Sequence, residues 1–160
     1  MTQESRNAAL LAASHYMRPE VVSDALPFRV SMAGDTLSPE INAQWDALSK
    51  KAARIALSSL ASLAKINELD HLGGGLELIQ PLLLTLGMID NEKSSFTIEH
   101  AHTSIGCYSV LAALGFLDET IVIDEFRRGL DIAGHVSWLP GGCELNGGRL
   151  GVMIPAAVGQ

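Results

Sequence analysis

The stretch SSFTIEHAHTSIGCYSVLAALGF, residues 94–116, decides how the rest of the chain is read. Its opening residues, Ser94 to Glu99, follow a polar turn and set Phe96, Thr97 and Ile98 in a short run with the composition of a buried strand. A strand here delivers His100 and His102 to its end. Behind it, Ile105, Val110, Leu111, Leu114 and Leu117 recur at helical spacing, and Gly115-Phe116 closes the stripe. A strand set among helices and loops predicts α/β architecture, in which sites collect outside the carboxyl ends of strands and at the adjoining helix N-termini. The expected fold is helices around a small, mainly parallel sheet, apparently truncated at the C-terminus.

Working outward toward the N-terminus, Gly73-Gly74-Gly75 opens a segment in which Leu76, Ile79, Leu83 and Leu86 fit a helix ending at Gly87, with Pro81 near its start or bending it. Before the break at Asn67 to His71, Ile41, Trp45, Leu48, Ala52, Ile55, Ser59 and Leu63 recur at three and four spacing from Ser38 onward, which predicts a long helix. Residues 1–39 carry Pro19, Pro27 and Pro39 and read as an arm with one short helix; residues 40–160 read as a partial domain. Downstream, Ile121 to Leu130 reads as a further helix, with Arg127-Arg128 on a solvated face. The end, Val152 to Gln160, starts an apolar segment that stops inside an element. The expectation is a fragment or an end covered by partner chains, and self-association follows from the apolar surface left open.

Composition narrows the classes. A chain of 160 residues with 48% apolar and 18% charged residues predicts one folded domain with a sizeable core. Eleven Lys and Arg against eighteen Asp and Glu give a net charge of −7 without a basic run, which argues against nucleic acid. No apolar stretch is long enough to span a membrane and no leader pattern opens the chain, so a soluble, cytoplasmic protein is expected. Cys107 and Cys143 match no zinc spacing and are too few for a disulfide framework.

The residues with chemistry are histidines set beside glycines or at the predicted strand end: His71, His100, His102 and His135. Glycine lets backbone approach a ligand, and imidazole can donate to phosphate or exchange protons near neutral pH. Taken singly, each also reads as a hydrogen-bonded surface or core residue. His100 and His102 would share one strand face, with Glu99 opposite; the ligands that would complete a zinc site are not supplied at any telling spacing. Cys107, inside an apolar helical stripe, reads as a small buried residue. Neither glycine string is a P-loop or a dinucleotide fingerprint. Gly147-Gly148-Arg149-Leu150-Gly151, before an apolar segment, could present backbone N–H groups to an anion or heterocycle.

In order, His71-Leu-Gly-Gly, Glu99-His-Ala-His-Thr-Ser-Ile-Gly-Cys-Tyr108, Leu130-Asp-Ile-Ala-Gly-His135 and Gly147-Gly-Arg-Leu-Gly151 resemble successive blocks of the transketolase N-terminal domain, the cofactor diphosphate-binding domain of a thiamine diphosphate-dependent enzyme. The resemblance implies two-carbon ketol transfer in a complete cytoplasmic homodimer, with thiamine diphosphate (thiamine pyrophosphate) and magnesium as cofactors. It implies that His71 and His135 contact substrate as catalytic residues, that His102 meets the cofactor diphosphate, and that Gly148, Leu150 and Gly151 meet its aminopyrimidine. Leu72, Ala101, Val136 and Arg149 depart from the family's pattern. The family's G-D-G metal motif is absent from the sequence, so the chain is expected to lack the magnesium ligands, to be inactive alone, and to need self-association or a complementary transketolase-like subunit. The substrate implied is a sugar phosphate, or a 2-oxo acid if the chain derives from a pyruvate dehydrogenase first component-like enzyme. The alternative from another class is a non-catalytic assembly module.

Overall fold

The structure is a computed structural model and describes residues 21–31, 33–34, 36–66, 74–94, 96–128, 132–136 and 151–159. Among these the fold is helical: α1 (Pro39–Ala64), α2 (Gly75–Met88), α3 (Ser104–Leu114), α4 (Glu119–Glu125) and α5 (Met153–Gly159), with 3-10 turns at Ser23–Ala25 and Ala101–Thr103.

The α/β expectation is overturned. No strand or sheet occurs among the described residues, and the segment read as a strand holds only an isolated bridge at Phe96. A strand leaves its N–H and C=O groups unpaired unless a neighbouring strand accepts them, and the other apolar segments of this chain have helical period. Residues 96–100 instead run as a link that buries Ile98 and enters the 3-10 turn before α3.

α1 starts where the sequence predicts. Ser38 Oγ accepts the Ile41 N–H at 3.2 Å, Pro39 occupies the first helical turn, and Glu40 follows. That local hydrogen bonding, the Glu40 backbone first and the Ser38 side chain second, holds the Glu40 carboxyl below its ordinary value. Ala52, Ile55, Ala56, Leu60 and Leu63 form its buried face. Burial of each large aliphatic side chain contributes roughly 1.5–3 kcal/mol.

α3 is the centre of the molecule. It packs on α1, α2 and α4, and every residue from Ser104 to Ala113 is buried. A helix covered on all sides has no solvated stripe, which explains an apolar run broken only by small residues and Tyr108. Where α2 crosses it, the helices meet through glycine. A Cβ on Gly106 would lie 1.9 Å from the Gly75 carbonyl oxygen, and one on Gly75 would lie 2.2 Å from Ile105 Cγ2. Gly115 then ends α3 in the left-handed region at φ 90°, its N–H donating back to the carbonyls of Ala112 and Leu111.

Within the arm, residues 21–31 lie against the C-terminal end of α2: Val21 and Phe28 are buried, and the Val30 N–H donates to the Gly87 carbonyl at 2.9 Å. Arg29 donates to the Leu86 and Ile89 carbonyls at 3.3 and 2.6 Å, satisfying acceptors at that helix end. Pro81 sits inside α2 rather than at its start. α4 is shorter than the expected helix over Ile121 to Leu130. It is capped by Asp118 and stops at Phe126, whose ring is buried, and Arg127 turns into positive φ. α5 includes Pro155 and leaves Ile154 and Val158 64% and 84% exposed. Among the described residues, no helix is long and apolar enough to cross a membrane.

Candidate functional site

Described residues from each of the four segments that the sequence singles out meet near the N-terminal end of α3: Gly74, residues 99–108, residues 132–135 and Gly151. Gly74, at the start of α2, faces the His102 ring: a Cβ there would lie 3.5 Å from His102 Cδ2 and 3.5 Å from Thr103 Cγ2. The Ala101–Thr103 turn is fastened by Thr103, whose N–H and Oγ1 both donate to the His100 carbonyl, at 2.9 and 2.6 Å. Ser104 Oγ donates to the Gly134 carbonyl at 2.8 Å, and the Tyr108 hydroxyl reaches the carbonyl of His135 at 3.4 Å. From the far end of the chain, the N–H groups of Gly151 and Met153 donate to the Glu99 carboxylate, Met153 at 3.2 Å.

Beside this junction lies a cleft of about 480 Å³, walled by Glu77, Leu78 and Pro81 of α2, by residues 97–100 and by Ile154 of α5. Its volume is that of a small-molecule site. Its carboxylates, Glu77 and Glu99, are complementary to a cation rather than to a diphosphate.

Of the expected site residues, His102 and His135 are both exposed, and Gly151 holds φ 86° with its amide committed to Glu99. His71, Gly148 and Leu150 lie outside the described residues. His100, not His102, lines the cleft. The expectation that His100 and His102 share a strand face falls with the strand. They flank Ala101 in a turn, ring centroids 5.6 Å apart and tilted by 33°. Among the described residues, no group of three His, Cys, Asp or Glu side chains could hold a metal ion. Cys107 is buried within α3, as read.

Glu99 was expected to point away from the site, yet it ties the last segment to the junction. Its signal is that it is the only acid between Ser94 and Leu117. A carboxylate in so apolar a stretch needs donors, and backbone N–H groups supply them here.

Comparison with protein families, curated proteins and solved structures gives no match for the chain.

The described residues do not fit a magnesium diphosphate by themselves. They offer no ligand cluster, and the amides of Gly151 and Met153 already meet a carboxylate. Magnesium demands oxygen ligands in near-octahedral geometry, and a diphosphate beside Glu99 meets like charge.

Proposed function

We propose that the chain is the N-terminal part of a thiamine diphosphate-dependent transketolase-like enzyme and serves two-carbon ketol transfer once the remainder of that enzyme is present. The single observation that carries this reading is the convergence at the start of α3. Gly74, His102, Gly134, His135 and Gly151, one or two described residues from each of four segments that resemble successive family blocks, come together there, although 77 positions separate Gly74 from Gly151 in sequence. In such an enzyme the cofactor supplies the carbanion chemistry. This chain's share is orientation and donation by His102 and His135, both exposed on short turns that α3 holds in place.

Glu99 favours a second reading, in which the chain is a non-catalytic assembly module: the acid occupies backbone donors that a cofactor-binding loop would present.

The test uses the chain mixed with a polypeptide carrying the G-D-G segment and pyrimidine-binding domain of a transketolase. Ketol transfer is expected, and His102→Ala or His135→Ala should lower turnover by about 10² to 10³ through loss of a polar transition-state contact, with unchanged melting temperature. Wild-type rates in both variants would refute the site. No transfer in the unsubstituted mixture would favour the assembly module.

A further inference from the structure

The cleft beside the start of α3 carries charge that the described residues do not compensate. Glu77 and Glu99 both stand on its wall, no lysine or arginine does, and none of the ion pairs among the described residues involves either carboxylate. Glu99 accepts the amides of Gly151 and Met153, which are neutral donors and leave its charge in place. Glu77, in the first turn of α2, is exposed and has no hydrogen-bond partner among the described residues. The rest of the wall is largely apolar. Leu78 and Pro81 follow Glu77 along α2, Ile98 comes from the link before α3, and Ile154 of α5 completes it. Ile154 is 64% exposed, so its apolar surface at the cleft meets solvent. The two bonds that Glu99 accepts lie at the start of α5, so one acid both fixes that wall and charges the cleft.

We infer that this cleft binds a small organic ammonium ion, a protonated amine with an aliphatic body. The ammonium carries donors for Glu77 and for the unused lone pairs of Glu99, and in its neutral form the His100 imidazole on the same wall adds an acceptor. The aliphatic body covers Ile154 and lies along Leu78 and Pro81, which removes apolar surface from water. A volume of about 480 Å³ is enough to enclose such a ligand. Other occupants fit less well. A metal ion finds no group of three ligands among the described residues, and an anion meets two carboxylates in a chain of net charge −7. The site goes beyond the reading under Proposed function and does not depend on it.

The 160-residue chain is titrated near neutral pH with n-hexylammonium, 1-hexanol and hexanoate, which share an aliphatic body and differ in charge, while the methyl groups of Ile98 and Ile154 are followed by NMR. Hexylammonium should shift both residues saturably, hexanol should bind about tenfold more weakly, and hexanoate should not bind. Glu77→Gln should weaken hexylammonium about tenfold, the loss of one charge-assisted hydrogen bond, and leave hexanol unchanged. Ile154→Ser acts on the body instead, so it should weaken hexylammonium and hexanol alike, read at Ile98. Asp46→Asn, which removes the same charge as Glu77→Gln from an exposed ion pair on α1, should leave binding unchanged. The proposal is overturned if hexylammonium gives no saturable shift, if hexanol or hexanoate binds as tightly, if Ile154→Ser changes nothing, or if Asp46→Asn weakens binding as much as Glu77→Gln. It is overturned equally if Glu77→Gln lowers the melting temperature and leaves hexylammonium binding alone, the behaviour of an acid that serves only the start of α2. Failure of ketol transfer in the mixed assembly would leave all these readouts intact, so the two readings fail separately.

Discussion

At Gly106 the backbone of α3 comes so close to α2 that a methyl group would sit 1.9 Å from a carbonyl oxygen and 3.2 Å from Leu78 Cβ. Neither obstacle is the loose end of a side chain, so Gly106→Ala has to push the helices apart. The expected loss is about 3 kcal/mol, the upper end for overpacking, read as a lower denaturation midpoint with unchanged slope. The same variant should loosen the contact of Gly74 with His102, since both lie at this crossing. Stability equal to the unsubstituted chain would mean that α2 and α3 do not meet here. The sequence offered only a glycine inside a helical stripe as notice of the crossing, and no reading of a single chain says which neighbour such a glycine admits. Glu99 was legible in kind but not in direction, because its partners are backbone groups 52 and 54 residues away.

Helices α1, α2 and α3 were legible as elements because their apolar residues recur at helical period and because Ser38, Gly74 and Gly115 punctuate them. α4 shows where that signal misleads. Apolar spacing continues past Glu125, but Phe126 turns its ring into the core and Arg127 leaves helical φ. The strand was misread for a different reason: the composition of Phe96, Thr97 and Ile98 suits a buried extended segment, and whether such a segment pairs depends on strands that a local window does not contain. At the start of α4, Asp118 accepts the Thr120 hydroxyl at 2.7 Å and the Thr120 N–H at 2.8 Å. These bonds, the side-chain one first, hold its carboxyl below the ordinary 3.8. A depressed folded-state value stabilises the fold above the unfolded value, and the contribution is lost as pH falls through the folded one. Asp118 is therefore expected to titrate below 3.8 by NMR, with protection of the α4 amides falling over that interval; Asp118→Asn, which caps without titrating, should remove the dependence. An Asp118 midpoint at or above 3.8 would show that the cap is not formed.

At the scale of the whole molecule, a buried helix organises everything around it: α1, α2 and α4 pack on α3, and the segments carrying His102, His135 and Gly151 are tethered to its N-terminal end. Order and composition of those segments were legible in the sequence, whereas the helical fold that brings them together was not, because it depends on Gly75, Gly106 and Glu99 making contacts far along the chain. Under the proposed function, this junction would be one part of a thiamine diphosphate site whose metal ligands are supplied by another polypeptide. Charge makes the claim sharp: a chain of net charge −7 with Glu77 and Glu99 beside its cleft should hold a diphosphate poorly without a bridging cation. Calorimetric titration with thiamine diphosphate, with and without magnesium, is the most direct test. Weak binding that magnesium barely changes is expected for the 160-residue chain alone, and magnesium-dependent binding once the polypeptide carrying the G-D-G segment is added. Tight magnesium-dependent binding by the chain alone, or none in the mixture, would contradict it.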